Sequence, residues 1–232
     1  MNSEVMALGA AELEERSFIS KVYRWMGFGL LLTALAAYLA ASSDAFMNML
    51  AENSMIFYGL IISELGLVIF LSARIQKMSA EAAAGSFIIY SILNGVTLSL
   101  ILLMYTGESI ASTFLSTALT FGAMSVFGYF TKRDLTTMGS YLYMALIGLI
   151  IASFVNMFWA NSTMYWIISY VGILIFVGLT AYDTQKIKKI GATVNMDDTQ
   201  TTQKLAIMGA LALYLDFINL FLMLLRVAGN RR

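Results

Sequence analysis

The sequence predicts an all-α, polytopic membrane protein built as a bundle of seven transmembrane helices. Of its 232 residues, 59% are hydrophobic and 12% are charged, and the mean hydropathy is +0.78. A soluble domain has about half apolar and about a quarter charged residues. A hydrocarbon core about 30 Å thick requires about 20 apolar helical residues per crossing, and the chain contains several such stretches. The apolar runs are nearly continuous, without the alternation that is typical of a membrane β-barrel.

Intervals without charged residues locate the spans, because a charge at the bilayer centre costs several kcal/mol. The first four predicted spans cover residues 25–43, 55–74, 82–104 and 111–130. The uncharged stretch from Leu135 to Tyr182 is too long for one helix, so we divide it at residues 159–163 into a fifth and a sixth span. Residues 204–226 form the seventh. Glu64 interrupts the second span and Asp216 the seventh.

These spans predict one transmembrane domain, residues 25–226, between a cytoplasmic N-terminal segment, residues 1–24, and a C-terminal tail, residues 227–232. We expect a short interfacial helix at residues 12–24, and we interpret the first apolar stretch as a retained span because acidic residues precede it. Aromatic residues at its end suit the headgroup level of a membrane.

Lys and Arg residues predict the orientation. With the N-terminus in the cytoplasm, eleven of the 14 basic residues lie on the cytoplasmic side. The other three are Arg226, Arg231 and Arg232, all near or beyond the end of the last span. The positive-inside rule therefore favours a cytoplasmic N-terminus. A re-entrant last segment would return the C-terminus to the cytoplasm, but about 21 residues is the length of a full crossing, which favours seven spans.

The composition excludes several classes of function. The chain has no His and no Cys, so it has no Ser-His-Asp triad, no H-E-x-x-H zinc site, no thiol chemistry and no imidazole switch. The formal net charge is zero and there is no polybasic tract, so nucleic acid is not an expected partner. The expected partners are the lipid bilayer, protons and cations. Any pH-sensitive chemistry must depend on carboxylates.

Five ionisable residues lie within or at the ends of the predicted spans: Glu64, Arg74, Asp183, Asp216 and Arg226. Such residues are functional-site hypotheses, and they are expected to face one another or a water-filled cavity. The alternatives are snorkelling anchors for the two arginines, a packing carboxylate for Glu64 and an interfacial carboxylate for Asp183. Asn219, three residues after Asp216, would share a helix face with it and support the site.

Charge balance suggests a mechanism for these residues. Three acids and two arginines leave one net negative charge in a medium of low dielectric constant, which a proton or a cation must neutralise. If Asp183 and Asp216 approach closely, their like charges oppose joint ionisation, and the pair would hold one proton. Losing that proton would disrupt a latch to Arg74 and offer oxygen ligands to a hard cation such as calcium. This reasoning predicts a pH-gated cation pathway.

Two segments carry a resemblance to a known family. Gly178–Ile187 reads GLTAYDTQKI in the sixth span, and Ala212–Phe221 reads ALYLDFINLF in the seventh. At these residues the chain resembles the Bax inhibitor-1 family of transmembrane proteins. The resemblance implies a calcium-leak channel with Asp183 and Asp216 as a pH-sensing pair. Because the chain is short and prokaryotic-looking, we expect a member in a bacterial inner membrane. The resemblance also implies a gating ion pair of Glu64 and Arg226, with Arg74 as the latch. Calcium would be the permeant ion, and no cofactor is expected to be required.

Three other classes of membrane protein share single features with this sequence. An intramembrane aspartyl protease also pairs a Tyr-Asp segment with a second aspartate, but Asp216 follows Tyr214 and Leu215 rather than Gly-x-Gly, and the chain has no Pro for that class's Pro-Ala-Leu element. A non-conducting scaffold that binds other proteins stays open; it predicts no ion flux and tolerance of neutral replacements at both aspartates. A retinal protein is excluded because the seventh span has no interior Lys.

Overall fold

The computed structural model describes residues 2–231 and is helical almost throughout; Met1 and Arg232 lie outside the described residues. Within that range there are eight α-helices and one short 3-10 helix, Ile75–Lys77. The α-helices are α1 Asn2–Ala41, α2 Asp44–Glu52, α3 Ser54–Arg74, α4 Ala80–Met104, α5 Gly107–Phe130, α6 Thr136–Trp159, α7 Ser162–Gly191 and α8 Thr199–Ala228. Seven of them, all except α2, are long and apolar enough to cross a membrane. The predicted all-α class with seven spans is confirmed.

The N-terminal region differs from the expectation. Residues 12–24 do not form a separate helix, because α1 continues without a break from Asn2 to Ala41. The chain has no Pro, and nothing between residues 12 and 25 stops helical hydrogen bonding. The nine-residue helix α2 was not predicted, since a search for stretches of about 20 apolar residues does not detect it. Ser43 caps α2 by accepting a hydrogen bond from the Phe46 N–H at 3.4 Å.

The division of the long apolar stretch falls where the sequence places it. α6 ends at Trp159, and Ala160 adopts a left-handed conformation with φ of 45°. Its N–H donates to the Asn156 carbonyl at 2.8 Å, and the Asn156 side-chain oxygen accepts from the Asn161 N–H at 3.0 Å. This αL cap satisfies one of the open carbonyls at the end of α6 and lets α7 begin at Ser162.

The described residues form two compact units. The first contains residues 2–104 and Gly191–Tyr214, and in it α1 packs closely against α4. A Cβ at Gly29 would collide with the Phe87 ring, and one at Gly95 would collide with the Thr33 carbonyl. Small residues thus allow the two helices to approach at van der Waals distance, as is common in membrane bundles.

The second unit contains Tyr105–Ile190 and Leu215–Arg231. Its core is an apolar cluster on α6, α7 and the end of α8, which includes Leu149, Phe176 and Leu220. Two further glycines fix the C-terminal half of α7: a Cβ at Gly128 of α5 would meet the Ala181 backbone, and one at Gly139 of α6 would meet the Tyr182 ring. α5 and α6 therefore hold α7 firmly at the two residues that precede Asp183.

The predicted tail is packed rather than free over the described residues. Asn230 accepts a hydrogen bond from the Thr106 N–H at 3.1 Å, and its own N–H donates to the Ser109 hydroxyl at 2.9 Å. Arg231 forms an antiparallel bridge with Tyr105 and donates to the Tyr165 hydroxyl at 3.0 Å. The segment after α8 is thus attached to the loop that begins α5.

Candidate functional site

The site centres on two aspartates of the second unit that lie side by side. Asp183 is on α7 and Asp216 is on α8, and their residues are only 3% and 4% exposed. Each carboxyl group is within hydrogen-bonding reach of the other. Two carboxylates in contact and out of water repel each other strongly, so this arrangement favours a state in which at least one proton is bound.

The hydrogen bonds around the pair are incomplete when both aspartates are ionised. The Tyr143 hydroxyl of α6 lies 3.2 Å from both carboxylate oxygens of Asp183 and donates to them. Asp216 Oδ2 is buried, and no donor within the described residues reaches it. A buried acceptor without a donor costs about 1–3 kcal/mol, and a carboxylate more. A proton on either carboxyl group would supply a hydrogen bond that the ionised pair lacks.

Packing around Asp183 limits how its side chain can move. The Tyr143 ring meets the Tyr182 ring edge to face, with centroids 5.9 Å apart, and Tyr182 itself is seated over Gly139. Two residues after Asp183, Gln185 accepts from the Leu135 N–H at 2.9 Å and donates to the Arg133 carbonyl at 2.8 Å. α7 is therefore anchored to α6 and to the loop before it on both sides of the aspartate.

The charged residue closest in sequence to the pair is Lys186, one helical turn after Asp183, and its charge acts on that carboxyl group. The described residues contain no group of three or more acidic side chains placed to hold a metal ion. Asp183 and Asp216 together could offer a cation two carboxylates. Calcium takes six to eight oxygen ligands, so the pair alone cannot satisfy it.

Asn219, which was predicted to support the pair, is half-buried on α8, and its side-chain amide donates to the Leu215 carbonyl of its own helix at 2.8 Å. Arg226, near the end of α8, places its guanidinium over the Tyr165 ring, 5.7 Å from the centroid. The described geometry thus gives each of these two residues a local partner within the second unit.

Glu64 and Arg74 are both on α3, in the first unit. Glu64 is half-buried beside Asn94 and Thr97 of α4, and its Oε1 is buried without a donor among the described residues. Arg74 is exposed at the last residue of α3, where an anchoring arginine is also expected. The latch between Arg74 and the aspartates stays a prediction, as does the gating pair of Glu64 and Arg226.

A buried polar network near Glu64 was not predicted as a site. The Tyr214 hydroxyl donates to the Asn94 side-chain oxygen at 3.0 Å and lies 2.6 Å from the Thr33 hydroxyl. Tyr143 was missed in the same way. Neither tyrosine carries a charge at neutral pH, so the cost of placing a charge in an apolar span does not identify either residue as a candidate. The position of the Tyr143 hydroxyl beside Asp183, on the neighbouring helix, is visible only in three dimensions.

Comparison with known proteins agrees with the resemblance carried by the two aspartate segments. The family model described as inhibitor of apoptosis-promoting Bax1 matches residues 15–232. The chain is 54% identical over 217 residues to the inner membrane protein YbhL of Escherichia coli (strain K12), covering 94% of this chain and 93% of that protein. It is 47% identical over 220 residues to an uncharacterized protein of Borreliella burgdorferi, covering 95% and 94% of the two chains. A Rickettsia prowazekii protein is 45% identical over 219 residues, covering 94% of this chain and 91% of its own length. With seven helices able to cross a membrane and a family match over nearly its whole length, the chain is an integral membrane protein of the Bax inhibitor-1 family.

Proposed function

We propose that this protein is a pH-sensitive leak channel for calcium, in which Asp183 and Asp216 hold one proton in the closed state. The observation that carries the proposal is the buried contact between the two carboxyl groups. The Tyr143 hydroxyl donates to Asp183, whereas no donor among the described residues reaches Oδ2 of Asp216. The proposal agrees with the family, but its basis here is the charge and hydrogen bonding of the pair.

The size of the electrostatic effect is sufficient for a switch. Two unit charges about 4 Å apart interact with about 4 kcal/mol at an effective dielectric constant of 20. A shift of that size changes a two-state equilibrium by roughly a thousandfold. Loss of the shared proton would therefore push α7 and α8 apart at the aspartates. The expected consequence is a larger calcium flux at higher pH.

Calcium would be the permeant ion and not a resident cofactor. The carboxylates of Asp183 and Asp216 can supply part of the six to eight oxygen ligands that calcium requires, and water would supply the others. Such partial coordination suits passage, because an ion that is held weakly can also leave. Arg74 as the latch and Glu64 with Arg226 as the gate complete the proposal.

The bacterial inner membrane is the proposed location, with the N-terminus in the cytoplasm. A relative that is 54% identical is named an inner membrane protein. The cytoplasmic N-terminus follows from the distribution of Lys and Arg, eleven of which would lie on the cytoplasmic side.

Calcium flux into vesicles tests the function. The purified protein is reconstituted in liposomes that contain a calcium-sensitive dye, and influx is measured from pH 6 to pH 8 for the parent and for Asp183→Asn, Asp216→Asn and the double variant. We expect the parent flux to rise with pH and the double variant to lose that dependence, because asparagine cannot release a proton.

The control is Asp197→Asn, which removes an exposed carboxylate from the loop between α7 and α8. It should keep the parent's pH dependence. A double variant that conducts calcium with the parent's pH dependence would refute the proposed sensor. The absence of flux from every protein, including the parent, would instead support the non-conducting scaffold.

A further inference from the structure

A shallow surface cavity of about 340 Å³, open over most of its boundary, lies on one face of α1 and is lined by Lys21, Arg24, Trp25 and Phe28. These residues are spaced three and four apart, so they share one face of the helix. Two basic residues and two aromatic residues around one opening combine positive charge with an apolar wall.

The aromatic wall is held in place before any ligand arrives. The Trp25 ring is half-buried and meets the Phe87 ring of α4 edge to face, with centroids 6.2 Å apart. It meets Phe28 in the same geometry at 6.1 Å. Phe87 can come this near because the facing position on α1 is Gly29, where a Cβ would collide with that ring. The wall is therefore preorganised, which lowers the entropic cost of binding.

Among the side chains that the structure describes, Lys21 and Arg24 have no carboxylate partner. The ion pairs found among residues 2–231 join Arg16 to Glu12 and Lys189 to Asp134, and neither includes Lys21 or Arg24. Lys21 is half-buried and Arg24 is exposed. Two uncompensated positive charges at one opening attract an anion, and a phosphate offers the oxygens that lysine and arginine bind best.

The position along the helix selects the source of that phosphate. The apolar part of α1 begins at Trp25, and about 20 residues of helix span the hydrocarbon core, so Lys21 and Arg24 fall at the level of the lipid phosphates. From Arg24 an exposed apolar stripe continues along α1 into the membrane at three- and four-residue spacing. The stripe consists of large side chains that are 44–65% exposed: Phe28, Leu31, Leu35, Tyr38 and Leu39.

We propose that this cavity binds the headgroup of an anionic glycerophospholipid, with its phosphate between Lys21 and Arg24 and its glycerol region against Trp25. The acyl chains then follow the stripe that begins at Phe28. A free phosphate compound would gain the charge contacts but not the stripe. The site is independent of the proposed channel activity, and its test measures lipid binding alone.

Native mass spectrometry of the full chain in detergent measures the binding. Phosphatidylglycerol and phosphatidylcholine with identical acyl chains are titrated against the parent, against Lys21→Gln/Arg24→Gln and against Lys77→Gln/Lys132→Gln. The last variant is the matched control, because Lys77 and Lys132 are exposed, lie at other helix ends and do not line the cavity.

Each basic residue near anionic lipid contributes a factor of about five, so the parent should prefer phosphatidylglycerol by about 25-fold. The Lys21→Gln/Arg24→Gln variant should bind both lipids almost equally, and the control should keep the preference. Millimolar glycerol 3-phosphate should not displace the lipid. The charge-conserving variant Lys21→Arg/Arg24→Lys should also keep the preference, which separates loss of charge from loss of folding.

Equal binding of both lipids to the parent would overturn the proposal, as would a preference for phosphatidylglycerol that survives the Lys21→Gln/Arg24→Gln change. The proposal would also fail if the Lys77→Gln/Lys132→Gln control lost as much of the preference as the Lys21→Gln/Arg24→Gln variant. Displacement of phosphatidylglycerol by glycerol 3-phosphate would assign the cavity to a soluble phosphate compound instead, and would equally refute a lipid site.

Discussion

Removing one hydroxyl group, with Tyr143→Phe, tests the electrostatics of the aspartate pair without touching either carboxyl group. The Tyr143 hydroxyl donates to Asp183 at 3.2 Å from both oxygens and stabilises the ionised carboxylate. A hydrogen bond to a charged group is worth about 1.5–3 kcal/mol, and this shared, rather long one belongs at the lower end. Since 1.36 kcal/mol corresponds to one pH unit, the midpoint of the flux response should move about one unit toward higher pH.

The assay is calcium influx into liposomes over a pH series, fitted for its midpoint. Tyr141→Phe is the matched control, because Tyr141 is on the same helix, undergoes the same chemical change and is 65% exposed. It should leave the midpoint unchanged. A Tyr143→Phe midpoint equal to that of the parent, or a shift toward lower pH, would refute the argument that this hydroxyl favours the ionised pair.

Two further predictions concern packing and charge in the second unit. Gly139→Ala should lower the free energy of unfolding by about 1–3 kcal/mol, and with it the melting temperature, because its Cβ would collide with the Tyr182 ring. Gly148→Ala, on the same helix, meets open space and should be neutral or slightly stabilising. Equal melting temperatures for the two variants would contradict the close approach of α6 and α7. The hydrogen bond from Lys189 lowers the pKa of Asp134 to about 2. The contribution of this ion pair to stability is therefore fully present above the pKa of an unfolded aspartate, about 4, and is lost as the pH falls from there through about 2. An NMR titration of Asp134 should show this low midpoint and its rise in Lys189→Ala, and an unchanged midpoint in that variant would show that the ion pair does not form in solution.

The number and limits of the spans could be predicted because the cost of a charge in hydrocarbon acts residue by residue along the chain. The same rule identified Asp183 and Asp216 as residues that require a partner. It could not predict the continuity of α1 or the presence of the short helix α2, because neither depends on the cost of crossing a membrane.

Contacts between helices were beyond the reach of sequence patterns. Tyr143 lies in an apolar helix without charge, and its role depends on a hydroxyl that reaches Asp183 across 40 positions of sequence. Asn219 shows the opposite case. Its spacing from Asp216 suggests a common site, and the structure shows its amide donating to the Leu215 carbonyl of its own helix. Its supporting role beside Asp216 stays a prediction.

Infrared spectroscopy of the protein in lipid most directly tests whether Asp183 and Asp216 share a proton. The difference between the spectra of the parent and of Asp183→Asn/Asp216→Asn should contain the carbonyl band of one protonated carboxyl group near neutral pH. That band should disappear as the pH rises, over the range in which calcium flux increases. A difference spectrum without a protonated carboxyl band at the pH where the flux is lowest would contradict the account.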